Sequence, residues 1–311
     1  MNKLLCICRS LYPIPIWFIL PVAIFLSGCS FQQIAIKSLV GSGEHLADTY
    51  LTEDDPQLVR EAMPSNLKMI EMLLNQSPDN PDLLLTASKS FTMYAYAFIQ
   101  QDADRMAVKD IHKAKIIRKR LEILYRRAKN YGLKGLEVKY PGFDREYNIN
   151  PQKVLSRIKS EDVPFLYWTA VAWGGLISST KANPEAIVDF PNIGYFLERC
   201  LELDEDFDNG ALHQIMISYV MSLPDAGNDA EKIAREHFER AVEISYGNNA
   251  SVYVSFAETV AVKSQNRDEF LSLLDQALKI DVDKNPSTRL ANIIAQQRAR
   301  WLKDRMEELF F

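Results

Sequence analysis

The residues best suited to proton transfer or metal binding are four histidines, His45, His112, His213 and His237. They lie far apart, and none has a partner at the spacing that a zinc or copper site requires. His213-Gln214 and Glu236-His237 read as surface or capping residues on helices. The acidic run Asp204 to Asp208 lacks the glycine and the terminal glutamate of an EF-hand loop, so it reads as a solvated turn. There is no HExxH, no G-x-S-x-G, no P-loop and no dinucleotide fingerprint. Gly174-Gly175 sits inside a helical pattern and opens nothing that could cradle a phosphate. No catalytic residue, metal or cofactor is therefore expected, and the chain does not read as an enzyme.

What asks for explanation is the concentration of aromatic rings. Phe91 to Phe98 and Phe165 to Gly175 carry rings on more than one helical face, with alanines and glycines between them. A helix that is apolar all round is normally buried on all sides, so one reading is two central core helices. The other is that Phe91, Tyr94, Phe98, Trp168, Trp173 and Tyr219 line a cavity for an apolar ligand, with the hydroxyls of Tyr94, Tyr96, Tyr167 and Tyr219 as polar handles at its rim. Near the C-terminus Arg298 and Trp301 stand three apart on one helical face. They read either as part of a solvated capping helix or as a surface for a partner or an anionic ligand.

At the other end, Lys3 and Arg9 precede an apolar stretch from Leu11 to Phe25, and no acidic residue occurs before Glu44. That order fits a signal peptide; Pro13, Pro15 and Pro21 disfavour a spanning helix. The stretch ends in Leu26-Ser27-Gly28-Cys29, which resembles the lipobox of bacterial lipoproteins. The resemblance implies cleavage after Gly28 and lipid on the Cys29 thiol, whose acyl chains hold a protein on a bilayer at ~0.8 kcal/mol per buried CH₂. Ser30, in such lipoproteins, goes with export to the outer membrane. The expected organisation is thus a signal peptide over 1–28, a lipidated tether over 29–47 and a helical domain over 48–311. Cys6 and Cys8 leave with the signal peptide. Cys200 remains as a lone thiol, read as a packing residue on a helix. Cleavage removes two of 36 basic residues and none of 41 acidic ones, taking the formal charge from −5 to −7. A chain so acidic overall is not expected to bind nucleic acid.

Behind these residues stands an all-α architecture of about 11–13 helices. Apolar residues recur at helical spacing, as at Leu67, Ile70, Leu73 and Leu74. Asp55-Pro56, Asn80-Pro81, Asn150-Pro151, Asn183-Pro184 and Asn285-Pro286 each mark a helix start, since Asx accepts from a free backbone N–H and proline has none to waste. One helix is expected from Asp102 to Tyr131 and another from Pro286 to Phe310. Residues 132–149, with Gly132, Gly135, Pro141 and Gly142 as breakers, read as a hinge or a packed crossover loop, and Leu136 to Tyr140 is the single strand candidate. Small residues at Ala128, Cys200, Ala241 and Ala277 close four similar segments, spaced near multiples of the tetratricopeptide period. They suggest an array of degenerate helix-turn-helix repeats.

Four segments carry a family resemblance: Asp54 to Leu74, Phe91 to Gln101, Asp162 to Trp173 and Leu290 to Trp301. Together they resemble the T-component lipoproteins associated with TRAP transporters, over roughly Asp48 to Phe311. The resemblance implies a periplasmic helical lipoprotein, a homotrimer whose protomers carry an apolar pore or cavity. It also implies association with the solute-binding P component of the transporter, and passage of a hydrophobic or organic-acid ligand. It carries over no catalytic residue. A tetratricopeptide-like scaffold lipoprotein for envelope assembly is the competing reading.

Overall fold

The computed structural model describes residues 49–180, 188–223 and 229–311, which carry 14 α-helices and no strand. The chain divides into two units, residues 1–45 and 46–311, and every described helix belongs to the second. The signal-peptide and Cys29 readings, His45 and the Asn183-Pro184 pair lie outside the described residues.

The first half comprises α1 (Pro56–Gln76), α2 (Pro81–Tyr94), α3 (Gln101–Lys109), α4 (Ile111–Lys139), α5 (Phe143–Tyr147), α6 (Pro151–Leu155) and α7 (Val163–Ser179). The second comprises α8 (Phe190–Leu203), α9 (Phe207–Met221), α10 (Asp229–Ile244), α11 (Ala250–Phe256), α12 (Arg267–Lys279), α13 (Arg289–Asp304) and α14 (Met306–Leu309). Two π-helical turns interrupt the pattern: Ala95–Gln100 joins α2 to α3, and Ala257–Ala261 extends α11.

The Asx-Pro pairs act as caps. Asp55 accepts from the N–H groups of Gln57 and Leu58, Asn80 from Leu83 and Asn150 from Lys153. Asn285 accepts from Ser287 and opens a 3-10 turn, Pro286–Thr288, so the last long helix starts at Arg289. The expected helix from Asp102 to Tyr131 is instead broken at Asp110. Its backbone turns extended, with φ −156° and ψ 101°, and its side chain caps α4 through His112 and Lys113. Gly132 and Gly135 do not break helix: both are buried within α4, which runs on to Lys139 and takes in most of the strand candidate. Their role is steric. A Cβ on Gly135 would stand 2.1 Å from the Phe165 ring, and one on Gly132 would stand 2.0 Å from Thr169 Oγ1. Missing side chains are what let α7 lie close on α4.

Helices pack in succession: α2 on α4, α4 on α7, α7 on α8, α9 on α10, and α11 on both α12 and α13. Ala128, Cys200, Ala241 and Ala277 are each 0% exposed. The last long helix then returns to the start of the domain. Leu290 on α13 shares a core with Val59, Met63 and Leu67 of α1, and Arg289 Nη1 donates to the Thr52 carbonyl at 2.9 Å. Buried amides on α13 finish its neighbours. Asn292 accepts from the Ala250 N–H at 2.9 Å, and Gln296 donates to the carbonyls of Ala277 and Ile280 at 3.1 and 2.8 Å. Helix ends leave such groups orphaned, and here a third helix satisfies them.

Gly135→Ala tests the α4–α7 contact. An exposed helical glycine gains about 1 kcal/mol on this change, whereas overpacking against Phe165 is expected to cost about 1–3 kcal/mol. Urea unfolding reads the sign, and a stabilised variant would contradict close approach.

Candidate functional site

The circuit of helices lines a half-open cavity of about 1080 Å³. Both π turns and α3, α4, α7, α9, α11 and α13 contribute to its wall. Part of the wall is a lack of side chain: Ala170, Gly174 and Gly175 of α7 face the lumen. Gly175 also leaves room for the Tyr125 ring, which a Cβ would meet at 2.4 Å. Met63, Phe98, Ile193, Leu290 and Ile294 supply apolar surface, and Ser218, Ser251, Ser255 and Thr259 supply hydroxyls. An apolar hollow with a few polar groups is the usual form of a small-molecule site.

The charged groups concentrate where the ends of the chain meet. Arg298 is buried on α13 and lines the cavity. Its Nε donates to Glu258 Oε2 at 3.2 Å, and its Nη1 donates to Gln101 Oε1 at 3.2 Å. Its Nη2 contacts Glu258 Oε1 and lies 3.1 Å from Asp104 Oδ2. Burial alone would lower the Arg298 pKa, but the Glu258 and Asp104 carboxylates more than offset it and hold the value up. Asp104 is shifted upward by burial against the pull of Arg298 and Arg118. Trp301 lies under two guanidiniums, with Arg298 4.2 Å and Arg305 4.5 Å from its ring centre. Tyr96 keeps 47% of its surface accessible, yet burial among these groups raises its pKa. The surface it shows faces the cavity.

Of the aromatic candidates, Phe98 and Tyr219 line the cavity, whereas Phe91, Tyr94, Trp168 and Trp173 stand outside its wall. Phe91 is 1% exposed and packs on Tyr131; the Tyr94 hydroxyl accepts from Arg120 at 3.2 Å. Trp173 donates from Nε1 to Asp189 at 3.2 Å under the Lys129 ammonium, and Trp168 packs edge-on against Tyr167. On α2 and the π turn that follows it, Tyr94 and Tyr96 stand two residues apart and so on opposite faces; Tyr96 enters the lumen while Tyr94 turns to the core. On α7 the large rings pack into the surrounding helices and the small residues face inward. Arg298 and Trp301, read from sequence as an outward surface, line the same cavity, because α13 closes the circuit. Glu258, Asp104, Gln101 and the hydroxyls carry no sequence signal of their own; only the fold gathers them.

A family model described as TRAP transporter T-component matches residues 52–310. The chain belongs to that family. A protein of Treponema pallidum (strain Nichols) described as uncharacterized is 30% identical over 303 residues, covering 91% of this chain and 94% of that protein. Among the described residues of this T-component, no helix is long and apolar enough to cross a membrane. Likewise, no group of three or more His, Cys, Asp or Glu is placed to hold a metal.

The histidines of the T-component correct one reading. His213 and His237, far apart in sequence and read as surface or capping residues, meet between α9 and α10 with their Nδ1 atoms 2.8 Å apart. One ring must donate and the other accept, so the pair is stable only while at least one Nδ1 is unprotonated. Burial first, then the neighbouring His213 charge, lowers the His237 pKa from 6.5 to about 4; His213 is lowered too, mainly by burial.

A histidine held below its unfolded pKa contributes stability above that value and loses it on acidification. Resistance to urea is therefore expected to fall as pH drops from 6.5 toward 4, and His237→Gln is expected to flatten the fall; an unchanged slope would remove the pair as its source. Arg298→Met removes the guanidinium that pairs with both Glu258 and Asp104, leaving only the more distant Arg118 near Asp104. The expected loss in urea unfolding is about 3 kcal/mol, at the low end for a broken buried pair because Glu258 stays 36% accessible.

Proposed function

We propose that this protein is a periplasmic accessory component of a TRAP-type transport system that holds a hydrophobic or organic-acid ligand in the α13-closed cavity and presents it to the solute-binding P component. In this reading Cys29 carries the lipid that tethers the protein, most simply to the outer membrane, and the working form is a homotrimer. The observation that carries the proposal is the cavity itself. A hollow of about 1080 Å³ in a T-component chain is large enough for an organic ligand. Its wall is mainly apolar, with scattered hydroxyls and one charged pole, which suits an amphiphile. Phe98 and Tyr219, with Tyr96 and Arg298, are the residues we assign to ligand contact.

The envelope-scaffold alternative calls for an open concave groove and no internal pocket, and a pocket of this volume walled on one side by α13 weighs against it. The buried small residues at Ala128, Cys200, Ala241 and Ala277 support a tetratricopeptide-like ancestry for the array. We read the protein as a binding component without catalysis, in keeping with the transport-accessory role of its family.

Filling the cavity tests the reading. Gly174 faces the lumen, and its Cβ position meets only Ile193 Cδ1, at 3.7 Å. Native mass spectrometry of the purified protein is expected to show a co-purified small molecule. Gly174→Trp is expected to lower its occupancy at least tenfold, about 1.4 kcal/mol, with cooperative unfolding retained. Equal occupancy in the two proteins would place the ligand elsewhere.

A further inference from the structure

The corner between α3 and α4 differs in charge from the rest of the molecule. Residues 105–120 hold seven Lys or Arg against one acid, Asp110, in a chain whose net charge is −5. Two of these cations are paired, Lys113 with Asp110 at 3.5 Å and Lys119 with Glu122 at 2.9 Å. Lys109 and Lys115 are exposed, and neither has an ion pair among the described residues. Beside them stand exposed aliphatic residues: Val108 is 46% exposed, Ile111 48% and Ile116 73%. The break at Asp110 makes this a corner, with Val108 at the end of α3 and Ile111 and Ile116 in the first turns of α4. Val108 and Arg118 also line the cavity, so corner and cavity adjoin.

We propose that this corner rests on the surface of a bilayer that carries anionic headgroups, with Ile111 and Ile116 entering the acyl boundary and Lys109 and Lys115 at the phosphates. Aliphatic side chains interleaved with cations are the signature of an element lying in a membrane interface, and each cation near such a surface contributes about 1 kcal/mol. A protein interface would look different. Such interfaces are depleted in lysine, whereas residues 105–120 contain four lysines. The proposal is independent of the transport reading, because it concerns the outer surface and needs no ligand. Its structural effect is orientation: the cavity wall at Val108 and Arg118 is held beside the membrane.

Hydrogen exchange of the full chain on vesicles tests it, since the N-terminal apolar segment is common to every arm. Phosphatidylcholine vesicles are compared with vesicles containing about 30% phosphatidylglycerol, which supplies the negative surface. Amides of residues 105–120 are expected to slow on the order of tenfold on the anionic vesicles relative to the neutral ones. The difference is expected to vanish in high salt and in the double variant Lys109→Glu/Lys115→Glu. Ile116→Ser is expected to weaken the protection, while Ile149→Ser, at a site 79% exposed away from the corner, leaves it intact. All these sites are exposed, so folding is preserved. Protection equal on the two vesicle types overturns the proposal, because an N-terminal anchor alone would produce it. No protection on either also overturns it.

Discussion

One guanidinium holds the two ends of this helical circuit together. Arg298, near the end of the chain, reaches Gln101 and Asp104 on α3 and Glu258 on the second π turn. A buried cation is costly alone, and two carboxylates with a neutral amide make this one stable. Since Arg298 sits on the helix that also shares its apolar residues with α1, the ion cluster and the hydrophobic seam lock in the same register. Without that helix the neighbouring segments lose a wall, and Ala250, Ala277 and Ile280 lose the side chains that satisfy their backbone groups.

The hollow inside is the residue of local choices that each make sense on their own. Small residues on α4 let α7 approach, and small residues on α7 then leave space on its other side. The large rings of α7 point away from that space, into ordinary core contacts. Two π turns supply Tyr96 and Glu258 from opposite segments of the chain to one charged pole. Wide turns of this kind are uncommon and frequent at functional sites; here both fall on the cavity wall.

Much of the scaffold was legible in the chain. Asx-Pro pairs marked helix starts because the capping interaction is local, spanning two or three residues. Periodicity gave an all-α fold for the same reason. Errors arose where a residue type has two uses. Gly132 and Gly135 looked like breakers, yet in a helix pressed by a neighbour glycine is the residue that fits. Asp110 looked like one polar residue among many in a long helix, and it stops one helix and starts the next. The site was legible only in part. Aromatic concentration pointed to the right helices, but it does not say which face meets the lumen: Tyr96 lines the cavity, while Tyr94 packs into the core. The meeting of Arg298 with Asp104, like that of His213 with His237, is set by tertiary closure, for which a single chain carries no local mark.

The closing contact also governs when the cavity can exist. Arg289 pairs with Thr52 across 237 residues, and Arg298 with Gln101 across 197. Closing so long a loop costs about 2 kcal/mol more than closing one of 20 residues, and contacts this distant slow folding. More plainly, the wall is incomplete until the final helix has left whatever channel delivers the chain. Earlier helices can pair as they emerge, but they form an open arc. A chain cut short by its last twenty residues would keep most of its helices and have no interior to fill. Enclosure is thus the last step in the life of the nascent molecule, and an empty or occupied interior is decided only after the whole chain has arrived.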